Sequence, residues 1–122
     1  MSKKESFLVS RITSIGYAFK GAYHLIATEA SIKVQFAIGV LITFTGFYFE
    51  LSATEWMIQI AVIALIMTIE GINTAIEEIA DFVHPEYHEK IGLIKDISAG
   101  AVFIFAIAAV IIGLIIYIPK IF

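Results

Sequence analysis

Three long uncharged apolar runs constrain this chain more than any other feature. Val34–Phe49 has 16 residues without a formal charge, Trp56–Ile69 has 14 and Ala99–Ile118 has 20. A helix needs about 20 apolar residues to cross a hydrocarbon core about 30 Å thick. In lipid the backbone must satisfy its own N–H and C=O groups, so runs of this kind fold as helices. Burying them in water is not open to a chain of 122 residues, because small domains hide the smallest share of their surface. Composition says the same: 60% of residues are hydrophobic and 16% charged, against about 45–50% and about 25% in soluble domains.

The runs predict an all-α membrane protein, one domain over residues 1–122. The first span extends over residues 32–51, the second over 56–83 and the third over 97–118, where Pro119 ends it. The second, at 28 residues, is about 42 Å long at about 1.5 Å per residue. That exceeds the hydrocarbon core, so its carboxylate-bearing half lies toward one interface. Lys3, Lys4, Arg11, Lys20, Lys33, Lys90 and Lys95 fall on one side of the membrane, and Lys120 alone on the other. The positive-inside rule then predicts a cytoplasmic amino terminus and an outer carboxy terminus, in a bacterial inner (cytoplasmic) membrane. Tyr48, Trp56 and Tyr117 fall at the outer interface, where amphipathic rings sit. Ala109 and Gly113, four apart, offer a small-residue contact between helices.

Residues 5–29 carry a helical pattern before the first span. Leu8, Ile12, Ile15, Phe19, Ala22, Tyr23 and Ile26 recur at intervals of three and four, and polar residues fill the other side. This predicts an amphipathic helix on the cytoplasmic surface.

Several classes of function are excluded. Without cysteine there is no disulfide framework, thiol nucleophile or thiolate zinc site. A net charge of −3 with eight scattered basic residues excludes a nucleic-acid partner. Gly16-Tyr-Ala-Phe-Lys-Gly21 begins like a P-loop, but Ala22 stands where the motif requires lysine.

The chemistry concentrates in Glu70-Gly-Ile-Asn-Thr-Ala-Ile-Glu-Glu-Ile-Ala-Asp81. At about 100° per residue, Asn73 lies about 60° from Glu70 around the helix, while Glu77 and Asp81 each lie about 20° away. These four form one polar stripe, with Glu78 at its edge. A carboxylate near hydrocarbon is costly, about 2.5–3.5 kcal/mol for Asp at a helix centre, so the stripe faces protein, water or a cation. Two carboxylates seven residues apart suit a hard divalent ion that takes oxygen ligands. Glu29, between the surface helix and the first span, is a candidate third. A second polar cluster, Pro85 to Asp96, is read as the long cytoplasmic connection and offers Glu86, His88, Lys95 and Asp96 beside the stripe. The residues alone also leave open a small oligomeric ion-conducting or scaffolding protein.

Glu70-Gly-Ile-Asn-Thr-Ala-Ile-Glu77 resembles the E-x-x-N-[ST]-[AS]-[ILV]-E run of the prokaryotic diacylglycerol kinases, small integral-membrane lipid kinases that include the undecaprenol kinases. Asp81, Glu86-Tyr-His88, Lys95-Asp96, Gly16–Gly21 and Glu29-Ala-Ser support the resemblance, which covers almost the whole chain. It implies ATP-dependent phosphorylation of a membrane lipid hydroxyl, with Mg2+ as cofactor. The acceptor is diacylglycerol, giving phosphatidate, with undecaprenol as the alternative. A homotrimer with active sites shared between protomers is also implied. By position, Glu70 is the catalytic base and Asn73 orients the base or the hydroxyl. Glu29 and Glu77 hold magnesium, and Arg11, Tyr17, Lys20, Glu29, Glu77, Glu86, His88, Lys95 and Asp96 bind ATP. Gln35 stands where some members carry a carboxylate.

Overall fold

A computed structural model of the chain describes residues 6–122, so Lys3, Lys4 and Glu5 lie outside the described residues. Four helices follow one another: α1 Phe7–Thr28, α2 Ala30–Tyr48, α3 Ala53–Val83 and α4 Glu89–Ile121. The last three are long and apolar enough to cross a membrane. α4 packs along α3, α3 along α2, and α1 touches α2.

Each helix end has a local cause. Ser6 caps α1 by accepting from the Val9 N–H. Glu29 is the single extended residue between α1 and α2 (φ −90°, ψ 117°), so the two meet at a corner. Its N–H still bonds the Leu25 carbonyl and its carbonyl receives the Lys33 N–H, each at 3.0 Å. The backbone is thus satisfied while the Glu29 carboxylate makes no capping bond. α2 ends in a left-handed residue, Glu50, at φ 52°. The Leu51 N–H bonds the Gly46 carbonyl and the Glu50 N–H bonds that of Phe47, the paired closure of a Schellman turn. α3 opens with a reciprocal cap between Ser52 and Glu55.

The buried line of α2 is Ile32, Gly39 and Gly46, spaced seven apart. A Cβ at Gly39 would lie 3.0 Å from Ile63, and one at Gly46 2.8 Å from Trp56, so these glycines let α3 approach closely. Gly113 has nothing within 4 Å of such a Cβ. Within one chain the close helix contact falls on α2, while Ala109 and Gly113 line a cavity. At this end of the helices Trp56 meets Phe47 (ring centroids 4.8 Å apart) and Tyr117 meets Phe49 (5.9 Å). Below them Gln59, only 5% exposed, donates to the Ile42 carbonyl at 3.4 Å and accepts from the Tyr117 hydroxyl. Thr43, Thr45 and Thr68 return their hydroxyls to carbonyls four residues back, so these three protons are satisfied within their own helices.

Helix ends depart from the expected spans by about three residues or fewer, except at the start of α4. α4 begins eight residues before the predicted third span, because His88 caps it: its Nδ1 accepts from the Lys90 N–H at 3.0 Å. Pro119 does not stop α4, which runs on to Ile121. A proline's fixed φ is helical, and so near the end it removes little more than one hydrogen bond.

Few apolar side chains find cover within one chain. Phe44, Phe103, Ile104 and Ile115 are each between 65% and 72% exposed. On α1 the predicted apolar face, including Leu8, Ile12 and Phe19, has no cover from the rest of the chain.

Candidate functional site

The acidic stripe lies on the carboxy-terminal half of α3, away from the Trp56 end. Glu70, Asn73 and Glu77 are half-buried, whereas Glu78 and Asp81 are exposed. Helical spacing explains the sharing of one face, and α2 explains the burial. From α2, Gln35 donates its Nε2 to Glu70 Oε1 at 3.0 Å. One turn farther along α3, Asn73 donates its Nδ2 to Glu77 Oε1 at 3.1 Å. Each amide thus spends its N–H on a carboxylate. The amide oxygens, Gln35 Oε1 and Asn73 Oδ1, are both buried and without a partner among the described residues. The site is therefore rich in acceptors, which suits ligands that bring protons or positive charge.

Gly71, next to Glu70, has Leu25 of α1 against it: a Cβ there would lie 3.0 Å from Leu25 Cδ1. The carboxy-terminal end of α1 is in this way seated on α3 beside the stripe, with Glu29 at the corner four residues on. On the other side, Gln35 also lines an apolar cavity of about 540 Å³ between α2, α3 and α4. The cavity runs past Ile38, Ile63, Ile66 and Ala109 to Tyr117. The base of the stripe thus meets both a polar surface and an apolar interior.

The second cluster is folded differently from its reading as a connection. Only His84–His88 joins α3 to α4, and Lys90, Lys95 and Asp96 are helical. Lys95 does not project freely: its Nζ bonds Asp81 Oδ1 at 2.6 Å, tying the first turns of α4 to the end of α3. With side chains 37% and 58% exposed, this is a surface ion pair of modest strength. Glu86 offers its carbonyl to His84 Nδ1 at 2.7 Å, leaving its carboxylate exposed, and the His84 and His88 rings lie 5.5 Å apart. On α1, Arg11 sits over the Phe7 ring, 5.6 Å from its centroid. Tyr17 and Lys20 are exposed and border a shallow cleft on that helix.

Among the described residues of one chain, no three carboxylate or histidine side chains converge as metal ligands. The donors that are present, the Glu29 and Glu77 carboxylates and the Asn73 Oδ1, are all oxygens, the type a hard cation takes. Gln35 and Gln59 were not recognised from sequence as forming bonds between helices. Their signal was available: each is an amide within an uncharged apolar run, where an unpartnered polar group is costly.

Residues 16–117 match the family model described as prokaryotic diacylglycerol kinase. The chain is 36% identical to the undecaprenol kinase of Bacillus subtilis (strain 168) over 88% of its own length and 87% of that protein's. It is 32% identical to the diacylglycerol kinase of Escherichia coli (strain K12), covering 82% of each. It is 34% identical to the diacylglycerol kinase of Synechocystis sp. over 84% of its length, spanning 59% of that longer relative.

Proposed function

Because the chain belongs to the prokaryotic diacylglycerol kinase family, and is thereby a lipid kinase, we propose that the inner half of α3 is its phosphoryl-transfer site, with Glu70 as general base. The observation that carries this reading is the place of Glu70. It is half-buried, held from α2 by Gln35, in line with Asn73 and Glu77, and beside an apolar cavity. A membrane lipid keeps its chains in hydrocarbon and its hydroxyl near the interface, and a half-buried carboxylate in the polar half of an apolar helix suits that depth.

In the proposed reaction the lipid hydroxyl oxygen forms a bond to the γ-phosphorus of ATP. Its proton passes to a Glu70 carboxylate oxygen, and the bond from the γ-phosphorus to the bridging oxygen breaks to release ADP. Transfer of this kind depends mainly on positioning and on offsetting charge. Asn73, donating to Glu77, fixes the stripe beside the base. Lys95 is close enough to the stripe's exposed end to turn from Asp81 to a phosphate. Arg11, Tyr17 and Lys20 approach from α1, and Glu86, His88 and Asp96 from the connection and the start of α4, to surround the nucleotide.

Glu29 and Glu77 are the residues we assign to Mg2+, and their carboxylates fit it as hard oxygen donors. Bound there with ATP, the ion would supply charge neutralisation at the phosphates. One chain brings too few ligands together, and it leaves much apolar helix surface uncovered. Both facts support a homotrimer in which Glu29 of one protomer meets the stripe of its neighbour. The uncovered apolar face of α1 supports an interfacial helix on the cytoplasmic side of a bacterial inner membrane, with the amino terminus inside.

The first acceptor reading is diacylglycerol, giving phosphatidate. A second, undecaprenol, is favoured by the 36% identity to a protein of that name over 88% of the chain. The test is transfer of labelled γ-phosphate from ATP to each lipid in mixed micelles with Mg2+. Labelling of one lipid selects the acceptor, and labelling of neither refutes both readings.

A further inference from the structure

We infer that Gln35 is the positioning residue for the proton acceptor: its Nε2–H fixes one oxygen of Glu70 and leaves the other facing the substrate. The inference rests on the assignment of Glu70 as base, and goes beyond it by naming what aims that base. A glutamate side chain has three free torsions, and a base must hold one oxygen within hydrogen-bond reach of the proton it takes. On its own helix the nearest stripe amide, Asn73, is committed to Glu77. The hydrogen bond to Glu70 comes instead from α2, at 3.0 Å, across 35 residues of sequence.

The direction of that bond follows from chemistry. An ionised carboxylate only accepts, so the amide must turn its Nε2 toward Glu70 and its Oε1 away. The buried Oε1 has no partner among the described residues, so only one end of the Gln35 amide is used there. A residue serving only to join α2 to α3 would be expected to use both. Among the described residues the Gln35 amide thus makes one hydrogen bond, the one to Glu70. Gln35 also lines the apolar cavity, so the bond is formed where little water competes and counts for more.

The test compares Gln35→Met, which keeps length without a donor, and Gln35→Asn, which keeps the donor without the reach. A hydrogen bond to a charged group of this kind predicts a kcat lower by about 10- to 100-fold in either variant, with KM for ATP unchanged. A structural role alone would not give that split. A second arm uses Glu70→Asp, which retracts the carboxylate from Gln35. In that background Gln35→Met should add less than about a twofold loss, because the bond is already broken. Should Gln35→Met not fold, Gln35→Asn carries the comparison in both backgrounds. A kcat within about twofold of the parent, or losses that multiply independently in the double variant, overturns the inference. Retained turnover in Glu70→Gln overturns the base assignment itself. An inactive Glu70→Gln beside a fully active Gln35 variant removes only the positioning role.

Discussion

The packing of α2 on α3 can be tested with one methyl group. At Gly46 an added Cβ would lie 2.8 Å from Trp56 Cη2, 3.0 Å from Leu51 Cδ1 and 3.1 Å from Gln59 Nε2. Carbon atoms prefer separations of about 3.5–4.0 Å, so Gly46→Ala asks three neighbours to retreat by about 0.5 Å or more. None is a free end. Trp56 packs at a tilt against Phe47, Leu51 is 7% exposed, and Gln59 is held by Ile42 and Tyr117. Overpacking of this kind costs about 1–3 kcal/mol, while replacing a helical glycine by alanine returns up to about 1 kcal/mol. The net expectation is a loss of about 1–2 kcal/mol. Gly113→Ala is the matched control, because nothing lies within 4 Å of its Cβ and it faces a cavity. It should be neutral or stabilise by up to about 1 kcal/mol. Equilibrium unfolding in mixed micelles, followed by far-ultraviolet circular dichroism, reads both. An unaffected Gly46→Ala, or a Gly113→Ala as damaged as Gly46→Ala, would refute the reasoning and place the tight contact elsewhere.

Glu50→Gly should stabilise the chain by about 1 kcal/mol in the same assay, since glycine adopts φ 52° without the Cβ penalty that Glu50 bears. Tyr117→Phe strips Gln59 Oε1 of its donor and should cost about 1 kcal/mol of stability while leaving kcat unchanged, the site being at the other end of α3. Lys95→Ala should change stability by less than about 1 kcal/mol, because the bond to Asp81 is exposed, yet raise KM for ATP severalfold in steady-state kinetics. If Lys95→Ala damaged stability alone, its place beside the phosphates would be wrong.

What could be read from sequence was what depends on one helix at a time. The three uncharged runs identified α2, α3 and α4, and the seven- and eleven-residue spacings of Glu70, Glu77 and Asp81 put them on one face. Glu29 falls between two helices as its position suggested, although no proline or glycine marks the corner. What escaped depends on register between helices. Periodicity tells which way Gln35 points but not that Glu70 stands opposite it, and the same holds for Gln59 with Tyr117, 58 residues apart. The polarity of Glu89–Asp96 suggested a loop, because hydropathy marks the membrane boundary and not the helix end. His88 sets that end by capping, and the helix passes through these polar residues before it reaches the apolar run.

The account stands on Glu70 receiving the proton of a lipid alcohol. The direct measurement is a rapid-quench time course of phosphate transfer from labelled ATP to lipid by Glu70→Gln, alongside equilibrium ATP binding by the same preparation. With Glu70 as base, nucleotide binding stays within about twofold of the parent chain, while phospholipid formation falls at least about a hundredfold, the scale of a lost acid–base group. Transfer at the parental rate by Glu70→Gln would contradict it.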